Sequence, residues 1–509
     1  MNSKNKHHGF LVALLLTMIP LIRISASLDS HMVGGWLILA TILVAGVFSG
    51  NFHIQKRGFW IISGLIVLAL FQIWLGRTLN LEDFFLMLML VLALGVRGDW
   101  PLNSDRSDMK RGIIIGLVMN GILLLILLIK ASVSRGYSHE TTYSVQPLFA
   151  HRNIIVESCM LWFYWLLNQS DNKRQARWYT ILAGALAFVF QARSAMMMWV
   201  IMVAVQHKKL FTRNHIFTRI GALGLVFFCL LQLTIALLPA HIYKPIFDQL
   251  PDNLKAIDIA YNLNEARSSS DRIELWKWTC ENLNTWGHGI GQWRADAQGE
   301  VNERIGRCDL FVRHAHSDLL ECLYELGVIP SLILFSTLLV FARRQLGLVF
   351  VFLPLLLFSF PTERPEIMAA LAFSMFTGRR CEEPLSGQNH KMKKALSFAL
   401  VSVTFIGISS WAYSQHLFGK FFTGKADISQ LNSCQQIVVA LYPQDLLNNS
   451  LALYQAHYLI AHQNIDGAVQ ILEERLHDNS KDLGVQKQLL EIDPSAYKEY
   501  VYCNQISKP

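Results

Sequence analysis

Long apolar runs recur along most of this chain, and they restrict its fold more than any other feature. A helix of ~20 apolar residues reaches across a bilayer. Apolar residues make up 52% of the sequence and charged residues 16%, against roughly 25% charged in ordinary soluble domains. The expected fold is therefore an all-α polytopic membrane protein. About thirteen spans are read, near residues 9–26, 32–50, 58–76, 81–97, 112–130, 153–168, 176–191, 194–208, 214–240, 318–342, 346–360, 364–378 and 393–414. The pairs 176–208 and 346–378 read equally as two short helices or one longer kinked one.

Basic residues orient the spans, because loops on the cytoplasmic side are enriched in Lys and Arg. Lys4 and Lys6 precede the first span, and Lys56 with Arg57, Arg106 through Arg111, Lys173 through Arg177, and Lys208 through Arg213 follow on the same side. Arg343, Arg344, Arg379, Arg380, Lys391, Lys393 and Lys394 complete the set. The N-terminus is thus expected inside, with the 241–315 loop and the C-terminus outside. The chain divides into membrane helices over 1–240, an outer loop over 241–315, membrane helices over 316–415 and a tail over 416–509. The net charge of +8 resides mostly in short loops, so no nucleic-acid partner is expected. Residues 1–26 share features with a secretory signal, but Pro20 and Arg23 interrupt the apolar core and favour a retained span.

Cys280 and Cys308 share the outer loop, and Cys434 and Cys503 share the tail. In an oxidising compartment either pair is a disulfide candidate, with buried free thiols the alternative. Within the tail, Leu451 to Ala461 and Ala468 to Leu476 have helical periodicity about an Asn464-Ile-Asp-Gly467 turn. One such hairpin cannot bury a core by itself. It is expected to dock on the outer loop or on another protein.

The informative polar run is Val312-Arg-His-Ala-His-Ser-Asp318, which leads directly into an apolar helix. A helix N-terminus offers free N–H groups and partial positive charge, although a polar cap at a membrane surface has the same composition. His314-x-His316 also reads as half of a metal site, but no third and fourth ligands are evident nearby, and no metal is expected. General-base work by one histidine is the better reading, since imidazole titrates near neutrality. Arg193, in Gln191-Ala-Arg-Ser194, lies between two apolar helices, where a guanidinium needs an anionic partner, either a salt bridge or a substrate. Arg152 stands at a comparable level and reads equally as a snorkelling arginine. In the loop, Ser268 to Trp278 reads as a helix capped by Asp271 with Glu274 reaching back. Arg272 would then occupy the first turn, where the macrodipole disfavours a cation and an anion would relieve the conflict. That helix would end at Gly287-His-Gly-Ile-Gly291, whose glycines permit a tight turn and close backbone approach.

His316-Ser317, nine residues, then Gly327 resembles the histidine motif of the O-antigen ligase family, which groups with O-antigen polymerases and bacterial protein O-oligosaccharyltransferases. Phe149-Ala-His-Arg-Asn153, Gln191 to Ser194, Arg272 with Trp276 and Gly287 to Gly291, and Pro361-Thr-Glu-Arg-Pro365 extend the likeness over residues 112–380. Ser317 replaces the commoner asparagine, and Pro330 stands where a small residue or tyrosine is usual. The resemblance implies a metal-independent, cofactor-free, inverting transferase of GT-C-like fold in the bacterial inner membrane. Its donor would be an undecaprenyl-diphosphate-linked glycan at the periplasmic face. The acceptor would be lipid A-core, a growing glycan or a protein hydroxyl. By the same analogy Arg193 and Arg272 clamp the diphosphate and His316 activates the acceptor, with Arg152, His314, Ser317 and Glu363 lining the substrate. A polysaccharide transporter is the alternative from another class. It would show internal repeats around a midplane site, and none is visible.

Overall fold

The computed structural model describes residues 6–21, 30–48, 52–54, 56–77, 79–98, 106–135, 152–190, 192–206, 263–294, 296–297, 301, 304, 314–342, 345–359, 361–377, 389–422, 431–442, 451–461, 463–478, 485, 488–489 and 492. The span expected at 214–240 lies outside them. Among the described residues the protein is all-helical apart from one short antiparallel ladder of β1 (Phe52–Ile54) and β2 (Val96–Gly98).

The first nine helices are α1 (Lys6–Thr17), α2 (Ser30–Phe48), α3 (Lys56–Trp74), α4 (Leu81–Gly95), α5 (Arg106–Arg135), α6 (Arg152–Asn168), α7 (Lys173–Val189), α8 (Arg193–Val205) and α9 (Leu263–Glu281). There follow α10 (Asp318–Leu326), α11 (Val328–Ala342), α12 (Leu346–Phe358), α13 (Pro365–Thr377), α14 (Asn389–Phe422), α15 (Ser433–Leu441), α16 (Leu451–Ala461) and α17 (Ile465–Asp478). In the bundle α1 packs on α5, α2 on α14, α8 on α12 and α13 on α6. Its core is apolar and includes the fully buried Trp36, Trp162 and Trp411.

Among the described residues two helices are long and apolar enough to cross a membrane, Ser107–Ser134 within α5 and Ala395–Phe421 within α14. The 30 residues of α5 extend about 45 Å at 1.5 Å per residue. Ile115, Val118, Met119, Ile122, Leu125, Ile126 and Ile129 are exposed on it. Their spacing of three and four puts them on one outward face, an arrangement that water disfavours and hydrocarbon accepts. Trp60, Val67, Leu70, Ile73 and Trp74 are likewise exposed along α3.

Two regions that the sequence left open resolve into pairs of helices, and one expected span is broken. The 176–208 region is two helices with Phe190 ending the first. The 346–378 region is also two helices, separated by a 3-10 turn at Pro361–Glu363. The expected 318–342 span divides at Gly327, which has φ 96°. A Cβ there would lie 2.4 Å from the Gly287 nitrogen, and one on Gly287 (φ 78°) would lie 2.2 Å from the Glu325 carbonyl. The two glycines therefore touch backbone to backbone. Gly287→Ala is expected to destabilise by about 2–4 kcal/mol through left-handed strain and collision with backbone. Gly64→Ala, in α3 with nothing near its missing Cβ, should be neutral or stabilise by up to ~1 kcal/mol. Thermal unfolding in detergent compares the two, and equal midpoints would contradict this packing.

In the tail, α14 continues to Phe422, beyond the expected end near 414. α15 folds back on it, with the Ser414 hydroxyl donating to the Tyr442 carbonyl (3.1 Å) and the Tyr442 hydroxyl donating to the Gly407 carbonyl (3.0 Å). The second hairpin helix begins at Ile465 rather than Ala468, because the Asn464 side chain accepts from the Gly467 N–H. Tyr454 packs on Phe418 and Phe421, so the hairpin docks on the end of α14. The disulfides expected at Cys280 and Cys434 are not formed: both are exposed free thiols. Cys308 and Cys503 lie outside the described residues.

Candidate functional site

The histidine motif is built around one short helix. Ser317 is the N-cap of α10, its hydroxyl accepting from the Leu320 N–H (3.5 Å), and Gly327 is its C-cap. The nine residues between Ser317 and Gly327 are the helix itself. Asp318 anchors the loop ahead of α13 by accepting from the Thr362 N–H (2.8 Å), and its own N–H donates to the Ser359 carbonyl (3.3 Å). Glu363 and Arg364 are thereby fixed beside the histidines.

Helix α9 packs against this frame. In α9 the Trp276 indole donates to the Ala315 carbonyl (2.8 Å) and its ring lies against Phe358. Leu275, Trp278, Trp293, Ala315 and Tyr324 form a separate apolar core that seats the loop on α10. α9 starts at Leu263, well before Asp271. Asp271 is therefore not its cap, and Glu274 pairs with Lys277 (2.7 Å) instead of reaching back. Arg272 sits mid-helix, so the macrodipole conflict expected from the sequence does not arise. Its interest comes from position: Arg272, Arg364 and His314 are the charged neighbours of His316.

The glycine run serves packing. The His288 and Gly289 N–H groups donate to the Tyr324 and Glu325 carbonyls (3.1 Å each), so those amides are already engaged. A Cβ on Gly291 would strike Asp83 and Asn80. Beside it the buried Arg294 bridges to Asp83 (2.5 Å) and Glu82 (4.0 Å) in the first turn of α4. Burial opposes that charge, but the three carboxylates of Asp83, Glu82 and Glu363 outweigh it and raise the Arg294 pKa further.

His316 itself has φ 52°, a left-handed conformation unusual for a residue with a Cβ. Such residues cost about 1–3 kcal/mol and cluster at functional sites. Burial, together with the positive charge of Arg272, His314 and Arg364, lowers its pKa to about 3. At neutral pH it is an uncharged imidazole. His314 behaves oppositely. Burial alone would depress it, but Glu363 (Nε2 to Oε2 3.1 Å) and Glu321 (Nδ1 to Oε1 3.4 Å) raise it to about 9.

These shifts fix the pH dependence of stability. The unfolded chain takes up a proton at His316 near 6.5 while the folded one does not until about 3, so stability falls as pH drops below 6.5. The raised His314 contributes fully below 6.5 and is lost as pH rises through about 9. We expect thermal stability to decline between pH 6.5 and 9, and His314→Gln to flatten that alkaline limb. A limb of unchanged slope in the variant would contradict the assignment.

Other expected site residues take clear positions. Arg152 is buried at the head of α6. Arg193 opens α8, and its neighbour Ser194 donates a hydroxyl hydrogen bond to Glu157 of α6. Glu157 in turn lies within electrostatic range of Arg364 and Arg272. This chain of neighbours brings the start of α8 to the same region as His316. Glu157, Glu321, Arg364 and Arg294 were not singled out from sequence. The signal for Glu157 was present, a lone carboxylate inside the apolar run Ile154 to Leu167, which the cost of buried charge marks as functional. Arg294 and Arg364 declare themselves only through contacts distant in sequence, and Glu321 through His314 and Ala315 just ahead of its helix.

Among the described residues, His314, Glu321 and Glu363 place one donor atom each within 4.8 Å of one another, a set that a cation would use. A third donor is thus present, contrary to the sequence expectation, and His316 is not part of the group. No protein-family model matches the chain, and no curated protein matches it.

Proposed function

We propose that this protein is a membrane glycan transferase of the O-antigen ligase type, moving a glycan from an undecaprenyl-diphosphate carrier to an acceptor hydroxyl at the periplasmic face. The observation that carries the reading is a largely buried, uncharged histidine beside two guanidinium groups, Arg272 and Arg364. His316, made more basic once the bound diphosphate offsets the charge of Arg272 and Arg364, takes the proton of the acceptor hydroxyl as its oxygen forms a bond to the anomeric carbon. The bond from that carbon to the diphosphate oxygen breaks, and the lipid diphosphate leaves with the electron pair and inverted stereochemistry at the sugar. Fixed cations in a site of low dielectric constant stabilise that departing charge, and guanidinium groups suit two-point contact with phosphate. No step calls for a metal or cofactor.

The reading includes about thirteen membrane spans, a cytoplasmic N-terminus, and a periplasmic loop and tail. Reporter fusions near residues 260 and 505 should be active only as periplasmic enzymes, and cytoplasmic activity at both would overturn the orientation. Deletion of the gene followed by glycan profiling tests the activity and the acceptor together. Loss of long-chain lipopolysaccharide with retained lipid-linked polymer identifies lipid A-core as acceptor. A single-repeat ladder identifies a growing glycan, and unmodified periplasmic proteins identify a protein hydroxyl. An unchanged glycan profile would reject the reading.

A further inference from the structure

Both ring nitrogens of His314 face carboxylates, Nδ1 toward Glu321 on α10 and Nε2 toward Glu363 in the 3-10 turn. A neutral imidazole carries one N–H, so it would turn a lone pair toward one of the two carboxylates. The doubly protonated ring presents an N–H and positive charge to each carboxylate. The residue is buried, where an ion pair is scarcely screened by solvent. Glu321 does a second job, its other oxygen accepting from the Ala315 N–H (3.2 Å), while the Ala315 carbonyl accepts from Trp276. The two residues preceding His316 are therefore held from α9, α10 and the 3-10 turn at once. His316 then adopts its left-handed backbone, and Ser317 is fixed as the α10 cap.

We infer that His314 is held as an imidazolium bridging Glu321 and Glu363, and that this bridge is the positioning device that fixes His316 in its left-handed conformation. The groups around the bridge support it. Asp318 lies within electrostatic range of both carboxylates, and Arg294 lies within range of Glu363. Arg272 and Arg364 lie within electrostatic range of His316. The bridge supplies a third positive charge next to His316, which favours the uncharged form of that ring without occupying it. His314 thus acts through its neighbour. The role of the bridge in transfer rests on the reading proposed above; its existence does not.

Nitrogen-15 spectra of histidine-labelled full-length protein in lipid nanodiscs test the bridge directly. At pH 7.5 one ring with both nitrogens protonated should be visible, and it should vanish in His314→Gln. The His316 ring should show one unprotonated nitrogen, and its signals should shift or broaden in His314→Gln and in Glu363→Gln. In a transfer assay His314→Gln should lower kcat about tenfold or more while KM changes less than twofold. A neutral His314, a His314 signal that moves on adding a chelator or zinc, or a His316 signal indifferent to both substitutions would overturn the inference. If the imidazolium and the His316 response are seen but no glycan transfer is detected with any acceptor, the bridge stands and the transferase reading falls.

Discussion

Replacing His316 by Ala or by Asn is expected to lower glycan transfer by about 10²–10⁴-fold, the usual contribution of a positioned general base. That is a barrier increase of about 3–5 kcal/mol. The two variants separate chemistry from backbone. Asparagine tolerates the left-handed conformation that His316 adopts far better than most residues, so His316→Asn should fold and insert as the parent does. It has no nitrogen able to take the proton. His316→Ala removes the same base but meets more backbone strain, so its thermal midpoint should fall further. His314→Ala should be milder in transfer than either, because His314 acts through its neighbour. The comparison is made on purified protein, with turnover and unfolding midpoint measured on the same samples. A His316→Asn variant with parental turnover would remove His316 from the mechanism.

Arg272→Lys is expected to cost about 10²–10³-fold, in the range seen for loss of one group stabilising a developing anion. The charge is retained, so His316 remains uncharged and the loss reports geometry alone. An ammonium is a point donor and cannot reproduce a planar two-point grip on phosphate. Arg193→Lys should fail for the same reason. Arg272 is held mid-helix on α9, whose neighbouring Trp276 is bonded to the Ala315 carbonyl. A lysine there therefore stands at the same point on α9 without moving the loop. The rate of release of lipid diphosphate is the measurement. Full activity of Arg272→Lys would show that this arginine does not grip the leaving group.

Helices were legible where apolar runs are long, because burial in any apolar surroundings selects the same residues. α5 and α14 are clear cases, and the two ambiguous regions resolve into pairs at Phe190 and at the Pro361–Glu363 turn. The break at Gly327 was not legible. Hydropathy continues smoothly through it, and its cause is a backbone contact with Gly287 far away in sequence. The start of α9 was misplaced because Ser268 to Asp271 has the composition of a cap, yet the helix runs through it. In the site, His316 stood out in a polar run opening an apolar helix, Arg272 as a cation in the expected first turn of the loop helix, and Glu363 through the resemblance of Pro361-Thr-Glu-Arg-Pro365. Glu321 did not, because at helical spacing it reads as one more polar residue in the first turn of α10. Its bonds to His314 and Ala315 give it a function that no local pattern encodes. Arg294 is similar: its partners lie on α4, more than two hundred residues earlier.

The central claim is that a neutral histidine and adjacent arginines transfer a glycan from a lipid diphosphate. Its most direct test is purified full-length protein in nanodiscs, supplied with a lipid-diphosphate-linked glycan and each acceptor class in turn, in the presence of EDTA. The account predicts release of lipid diphosphate with formation of one glycosylated acceptor, undiminished by the chelator and lost in His316→Asn. No consumption of donor with any acceptor, or turnover that needs an added divalent cation, would contradict it.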